Sequence, residues 1–186
     1  MSGQEVEAVY LRIVEKMTRL VKIPVAVKVG PYFSNLAALA QGLHRQGAQA
    51  LVLFNRFYQV DIDIDKMAMT AGNRLSDAAE ASLPLRWIAL LAEAVDCDLV
   101  AATGVHDAQG LIKMLLAGAQ VVQVASAFYK HGTGYAAQIV DGLARWMDQK
   151  GFATLEDFRG RLSRGQGDNP ELLERLQYIK ALVGIE

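Results

Sequence analysis

The groups in this chain with types and spacing suited to chemistry are one lysine, one asparagine and two small-residue turns: Lys28, Asn55, Thr103-Gly104-Val105 and Ser126-Ala127. Lys28 offers a cation against negative charge developing on a ligand. Asn55 both donates and accepts hydrogen bonds. Turns free of side-chain bulk let backbone N–H groups face an anion, and a following helix start adds partial positive charge. Thr103 and Ser126 add hydroxyl donors to such a cradle. Each feature also has a plain structural reading. The Lys28 ammonium escapes to solvent at a strand end, Asn55 forms a turn, and the small residues satisfy packing. His106 reads as a solvated loop histidine. Cys97 precedes a strand at its far end and reads as structural.

These groups have a common place in the pattern of elements that carries them. Val6, Tyr10, Ile13, Val14 and Met17 recur at helical spacing and predict an opening amphipathic helix. Residues 23–29 read as a buried strand with Val25, Val27 and Val29 on one face and Pro24, Ala26 and Lys28 on the other. The valines should pack under helices, so Lys28 points to the other side of the sheet. Ser34 is the expected N-cap of a helix with the stripe Leu36, Leu39, Ala40 and Leu43, ended by Gly47. Strands follow at 50–54, 99–102 and 121–125, with helices at 84–95, 107–117 and 135–150. Between Asn55 and about Ala81 lies a long polar insertion whose QVDIDID stretch alternates like a hairpin strand. It is long enough for an active-site lid, and a plain surface hairpin is the alternative. A glycine-rich break at 164–169 precedes a last helix with Leu172, Leu176, Ile179 and Val183.

The triplet Gly-Ala-Gln before a strand occurs at Gly47 and again at Gly118, a faint internal repeat. Alternation of this kind predicts right-handed βαβ crossovers and a parallel sheet with outer helices. Four βα units are present, whereas a closed (β/α)8 barrel needs eight and typically about 250 residues. The pattern fits a short doubly wound sheet or half a barrel. In both, ligands bind at the C-terminal strand ends, where Lys28, Asn55, Thr103 and Ser126 all fall.

The 186 residues suggest one domain, 1–186, and a net charge of −1 gives no electrostatic argument for nucleic acid or acidic membrane surfaces, neither of which is expected as a partner. A single cysteine excludes an internal disulfide or a multi-cysteine metal site, and the three histidines lack ligand spacing. No apolar run reaches the roughly 18 residues of a membrane span, and a cytoplasmic protein is the expectation.

Taken together, IPVAVKVGPYFSN, LVLFNRFYQVDID, LPLRWIALL, ATGVHDAQGLIKMLLAGA and VASAFYKHG resemble the C-terminal half of the dihydroorotate dehydrogenase family. The resemblance covers essentially the whole chain, and it implies a half-barrel with βα units five to eight. Family members are FMN-containing barrels that oxidise dihydroorotate to orotate in pyrimidine biosynthesis and pass a hydride to the flavin. By that resemblance Lys28 contacts the flavin, Asn55 hydrogen-bonds the pyrimidine substrate, and Thr103, Gly104, Val105, Ser126 and Ala127 form the FMN phosphate turns. Three positions depart from the family pattern: Gly30 stands where it has serine, and Thr103 and Ala125 where it has glycine.

The family's catalytic base, a cysteine or serine, belongs to the first half of the barrel, and no residue here matches it. The resemblance therefore implies an FMN-dependent oxidoreductase half that is inactive alone, whether a truncated product, a fragment or one half of a two-chain barrel. Another flavin barrel enzyme related to dihydropyrimidine dehydrogenase is one alternative, and a non-catalytic oligomeric scaffold or binding module is another. The open strand edges and an uncovered apolar face lead us to expect a homo-oligomer, a complementary N-terminal half, or the segment Leu172–Val183 folded over the gap.

Overall fold

A computed structural model describes residues 1–57 and 59–165. Helix α1 (Gly3–Leu20) opens on a capping box, in which the Ser2 hydroxyl accepts the Glu5 amide and the Glu5 carboxylate accepts the Ser2 amide. Its inward line differs from the predicted stripe. Val14 is buried with Tyr10 and Leu11 against it, while Ile13 and Met17 are exposed. The Thr18 hydroxyl selects this face by donating to the carbonyls of Val14 and, at 2.8 Å, Gln46.

Strand β1 (Ala26–Val29) leads to α2 (Leu36–Arg45), and β2 (Ala50–Leu53) follows. The cap of α2 is Asn35 and not Ser34. The Asn35 carboxamide oxygen accepts the Ala38 amide, so capping falls one residue later than predicted. The four positions of the predicted stripe of α2 are all buried. The insertion holds β3 (Val60–Asp63) and β4 (Ala68–Ala71), an antiparallel ribbon separate from the main sheet. A 3-10 turn at Ala79–Ala81 runs into α3 (Ser82–Leu91), which stops four residues short of the predicted end.

The chain then forms β5 (Asp98–Ala101), α4 (Ala108–Ala117), β6 (Val121–Val122), α5 (Ser126–His131) and α6 (Tyr135–Lys150). Strand β6 is shorter than predicted, and the short helix α5 stands where a bare turn was expected. Asp107 caps α4 through its carboxylate on the Gly110 amide. Gly118 ends α4 in the left-handed region at φ 115, a conformation that favours glycine. The predicted last helix lies outside the described residues.

The main sheet has the order β1-β2-β5-β6, and all three pairings are parallel. That is the sheet expected from the βα alternation, in chain order. Its convex face packs under the helices: Val29, Leu51, Leu53, Leu99 and Ala101 meet Leu36, Leu39, Leu43, Ile88, Leu91 and Met114 in one core. Burying a leucine fully contributes roughly 1.5–3 kcal/mol, so this layer supplies much of the stability. The concave face carries a second, smaller cluster of Val52, Val100 and Ala102.

On the concave face the central residues are buried. Val52, Val100 and Ala102 retain only 5%, 6% and 3% of their exposure. What stays exposed lies at the edges, Ala26 and Lys28 on β1 and Val121 on β6. Among the described residues no helix is long and apolar enough to cross a membrane.

Candidate functional site

The strand register brings Lys28 level with Val52 and, one strand further, Val100, on the concave side. Lys28 therefore projects from the face opposite Val27 and Val29, as the alternation predicts. Its ammonium donates to the side-chain oxygen of Gln123 at 3.2 Å. Gln123 follows β6, anchored by its amide on the Ala101 carbonyl at 2.8 Å.

Beside this pair the C-terminal strand ends form a pocket of about 160 Å³ lined by Lys28, Arg56, Ser76, Thr103, Gly104, Val105, Gln123, Ala125 and Ser126. Five of the residues predicted from sequence thus meet in one place. Asn55 and Ala127 do not line it. Asn55 is exposed, with its amide tied to the Val29 carbonyl at 2.8 Å. Ala127 is fully buried beneath the start of α5.

The turn after β5 is built from two left-handed residues in succession, Thr103 at φ 79 and Gly104 at φ 80. For a β-branched residue this backbone is strained. The Thr103 hydroxyl offsets part of the cost by donating to the Phe54 carbonyl. Glycine at 104 is demanded by packing as well as conformation. A Cβ there would lie 2.2 Å from the Ala81 nitrogen and 2.8 Å from the Glu80 carbonyl carbon. The small residue admits the backbone of the 3-10 turn. The amides of Gly104, Val105, Ser126 and Ala127 make no hydrogen bond to another described residue. Gly104, Val105 and Ser126 line the pocket, so their amides are the donors left for a ligand.

Gly30 has a similar explanation. A Cβ there would meet the Phe57 ring at 2.6 Å. The ring occupies the space that a side chain at position 30 would need, and it packs against Tyr32 at 5.1 Å between centroids.

Arg56, Ser76 and Gln123 are pocket residues that sequence reasoning missed, and the first two tie the insertion to the site. Arg56 makes a two-pronged pair with Glu80, at 2.8 and 3.2 Å, and donates to the carbonyls of Asn73 and Arg74. One guanidinium thus staples the return leg of the insertion to the end of β2. Opposite charges at the two ends of the insertion were the available signal. Ser76 is buried, and its amide and hydroxyl both lie 2.9 Å from the Ser126 oxygen. Its hydroxyl also lies 3.1 Å from the His106 ring nitrogen Nε2. His106 is therefore engaged in the site, a correction to its reading as a solvated loop residue. Lys130 donates to the Ser76 carbonyl at 3.2 Å. Fifty residues separate Ser76 from Ser126, and no local pattern links them.

Cys97 lies at the opposite end of the sheet from this pocket. Burial pushes its thiol upward, with Asp98 and Asp96 adding to the effect. A thiol held protonated is a poor nucleophile. Among the described residues no group of three or more His, Cys, Asp or Glu could hold a metal ion.

A family model described as dihydroorotate dehydrogenase matches residues 2–147. The chain belongs to the dihydroorotate dehydrogenase family. It is 31% identical over 153 residues to a dihydroorotate dehydrogenase B (NAD(+)) catalytic subunit of Petrotoga mobilis, covering 80% of this chain and 50% of that protein. A second relative, a putative dihydroorotate dehydrogenase A (fumarate) of Aeropyrum pernix, is 31% identical over 167 residues, 87% of this chain and 53% of that protein. The chain spans about half the length of the curated relatives it matches. Members of the dihydroorotate dehydrogenase family are FMN-dependent flavoenzymes on a TIM barrel, and the four parallel βα units here are a part of such a barrel.

The residues present fit the phosphate end of FMN. Gly104, Val105 and Ser126, whose amides bond to no other described residue, line a pocket that also holds two cations, Lys28 and Arg56. Such a donor set suits an anion. The pocket is far smaller than a typical cavity for a whole ligand of several hundred Å³, as expected for one end of a larger group.

Proposed function

We propose that this chain is the half of an FMN-dependent dihydroorotate dehydrogenase-type barrel that holds the flavin phosphate. The observation that carries the reading is that Gly104, Val105 and Ser126, whose amides bond to no other described residue, line one pocket beside Lys28 and Arg56. In this reading Gly104, Val105, Ser126 and Ala127 hold the phosphate, with Thr103 bracing the turn. Lys28 holds positive charge against the ring, and Asn55 faces the pyrimidine. When bound, FMN supplies the hydride acceptor for oxidation of dihydroorotate to orotate.

The residues of this chain bind and orient. Lys28 is kept in place by Gln123, and Arg56 fixes the insertion against the site. Proton removal from the substrate needs a base at hydrogen-bond distance. None of the pocket-lining side chains is a carboxylate or a thiol, and the two serines, Ser76 and Ser126, are engaged with each other and with His106. We therefore expect the chain alone to bind FMN without turning over dihydroorotate.

Titration of flavin fluorescence tests the reading directly. FMN should bind more tightly than riboflavin, which lacks the phosphate. Equal affinity for the two would overturn the phosphate assignment, and turnover of dihydroorotate by the chain alone would overturn the assignment of catalysis to a second half.

The exposed edges at β1 and β6 support a further part of this reading, association with a second copy of the chain or a complementary half. Light scattering at micromolar concentration should report a species above monomer mass, and a monomer throughout would remove this part.

A further inference from the structure

We infer that His106 is a positioning residue that acts through Ser76 to aim the hydroxyl proton of Ser126 into the anion pocket. The inference rests on the FMN phosphate reading above and adds residues to it. Three side chains form a line: His106 Nε2 lies 3.1 Å from the Ser76 oxygen, which lies 2.9 Å from the Ser126 oxygen. The Ser76 amide also donates to the Ser126 oxygen at 2.9 Å. Ser76 and Ser126 both line the pocket.

A hydroxyl has one proton and two lone pairs, so the direction of the line decides what the pocket meets. In one direction His106 Nε2 carries a proton and donates to Ser76, and Ser76 donates to Ser126. The Ser126 oxygen then accepts twice, from the Ser76 hydroxyl and the Ser76 amide. Both of its lone pairs are used, and its own proton is left for the pocket. In the other direction Nε2 is bare, Ser76 donates to it, and Ser126 donates to Ser76. Ser126 then turns a lone pair toward the pocket, which would repel an anion.

The surroundings favour the first direction. The amides of Gly104, Val105 and Ser126 and the Lys28 ammonium already give the pocket an anion-binding character. A chain of dipoles ending with its positive end toward the anion agrees with that field. The Ser76 backbone is held on its other side by Lys130, so the serine is fixed in place between the two turns. His106, one residue after Val105, thus links the turn after β5 to the one after β6 through a residue of the insertion.

Two measurements test the inference. Nitrogen chemical shifts of the imidazole in the labelled chain should show the proton on Nε2 of His106. A ring with the proton only on Nδ1 would overturn the relay, and this readout needs no flavin. The second is the preference for FMN over riboflavin, measured by fluorescence. His106→Leu and Ser76→Ala should each lower it about tenfold, the loss of one charge-assisted hydrogen bond. His106→Gln, which returns an N–H donor near Nε2, should keep the preference within about twofold of the unsubstituted chain. On a Ser126→Ala background His106→Leu should cause no further loss. An unchanged preference in His106→Leu, or equal loss of FMN and riboflavin, would overturn the inference. A chain that binds FMN no better than riboflavin before any substitution refutes the phosphate reading instead, and the imidazole shifts still decide the relay.

Discussion

Lys28 and Gln123 stand at opposite edges of the four-stranded sheet, and 3.2 Å separates the lysine ammonium from the glutamine oxygen. On a flat sheet three strand spacings would hold their backbones about 14 Å apart. Both side chains reach over the concave face of the sheet to make the contact. The contact brings the β1 cation beside the turn after β6, where both residues line one pocket. Replacing Lys28 with methionine removes an exposed hydrogen bond and a charge, but no packed core atoms. Thermal unfolding should shift little, while FMN affinity should fall about tenfold, or about 1.4 kcal/mol. A calorimetric scan together with a flavin titration separates the two effects.

Arg56 and Glu80 are both largely shielded from water, at 18% and 22% side-chain exposure. Removing one partner leaves the other charge poorly solvated. Arg56→Met also strands the carbonyls of Asn73 and Arg74. The expected loss is roughly 2–4 kcal/mol by urea unfolding. Glu80→Gln should cost less, and the double variant should cost less than the sum of the two singles.

Gly104 and Gly30 should rank in a fixed order. A methyl group at Gly104 meets backbone at 2.2 Å and is strained at φ 80. At Gly30 the obstacle is the end of the Phe57 ring, an exposed side chain that can swing away. Gly104→Ala should cost more than about 3 kcal/mol, beyond the usual range for a point change, and Gly30→Ala no more than about half of that. Paired urea titrations would show this order, and the reverse order would show that the Phe57 ring is the more rigid of the two obstacles.

Asp157 gives a pH dependence whose sign follows from its contacts. The amides of Thr154 and Ala153 donate to its carboxylate at 2.8 Å and hold it below its usual titration range. A carboxyl lowered in the folded state contributes stability above its unfolded pKa, about 3.9, and loses it as pH falls through the folded value. Asp157→Ala should therefore be less stable than the unsubstituted chain at neutral pH. The difference should shrink below about pH 4, as thermal melts across that range would show.

The sequence by itself determined the parallel sheet in chain order, because each βα unit writes its own period. Valines alternate along β1, the α2 stripe repeats at helical spacing, and Gly118 marks a helix end by a conformation that favours glycine. Those are local rules acting over a few residues, and they also put Lys28, Thr103, Gly104, Val105 and Ser126 at one rim. The ends of elements were legible only within a few residues, since Ser34 and Asn35 compete as neighbours for one cap. Tertiary structure alone decided what fills the space at that rim. The backbone at Ala81 takes the room beside Gly104, the Phe57 ring takes the room beside Gly30, and Ser76 bridges Ser126 to His106 across fifty and thirty residues. Such contacts depend on how far the sheet curls and where a long insertion returns. Those are set by the packing of the whole chain, and no spacing within a short stretch encodes them.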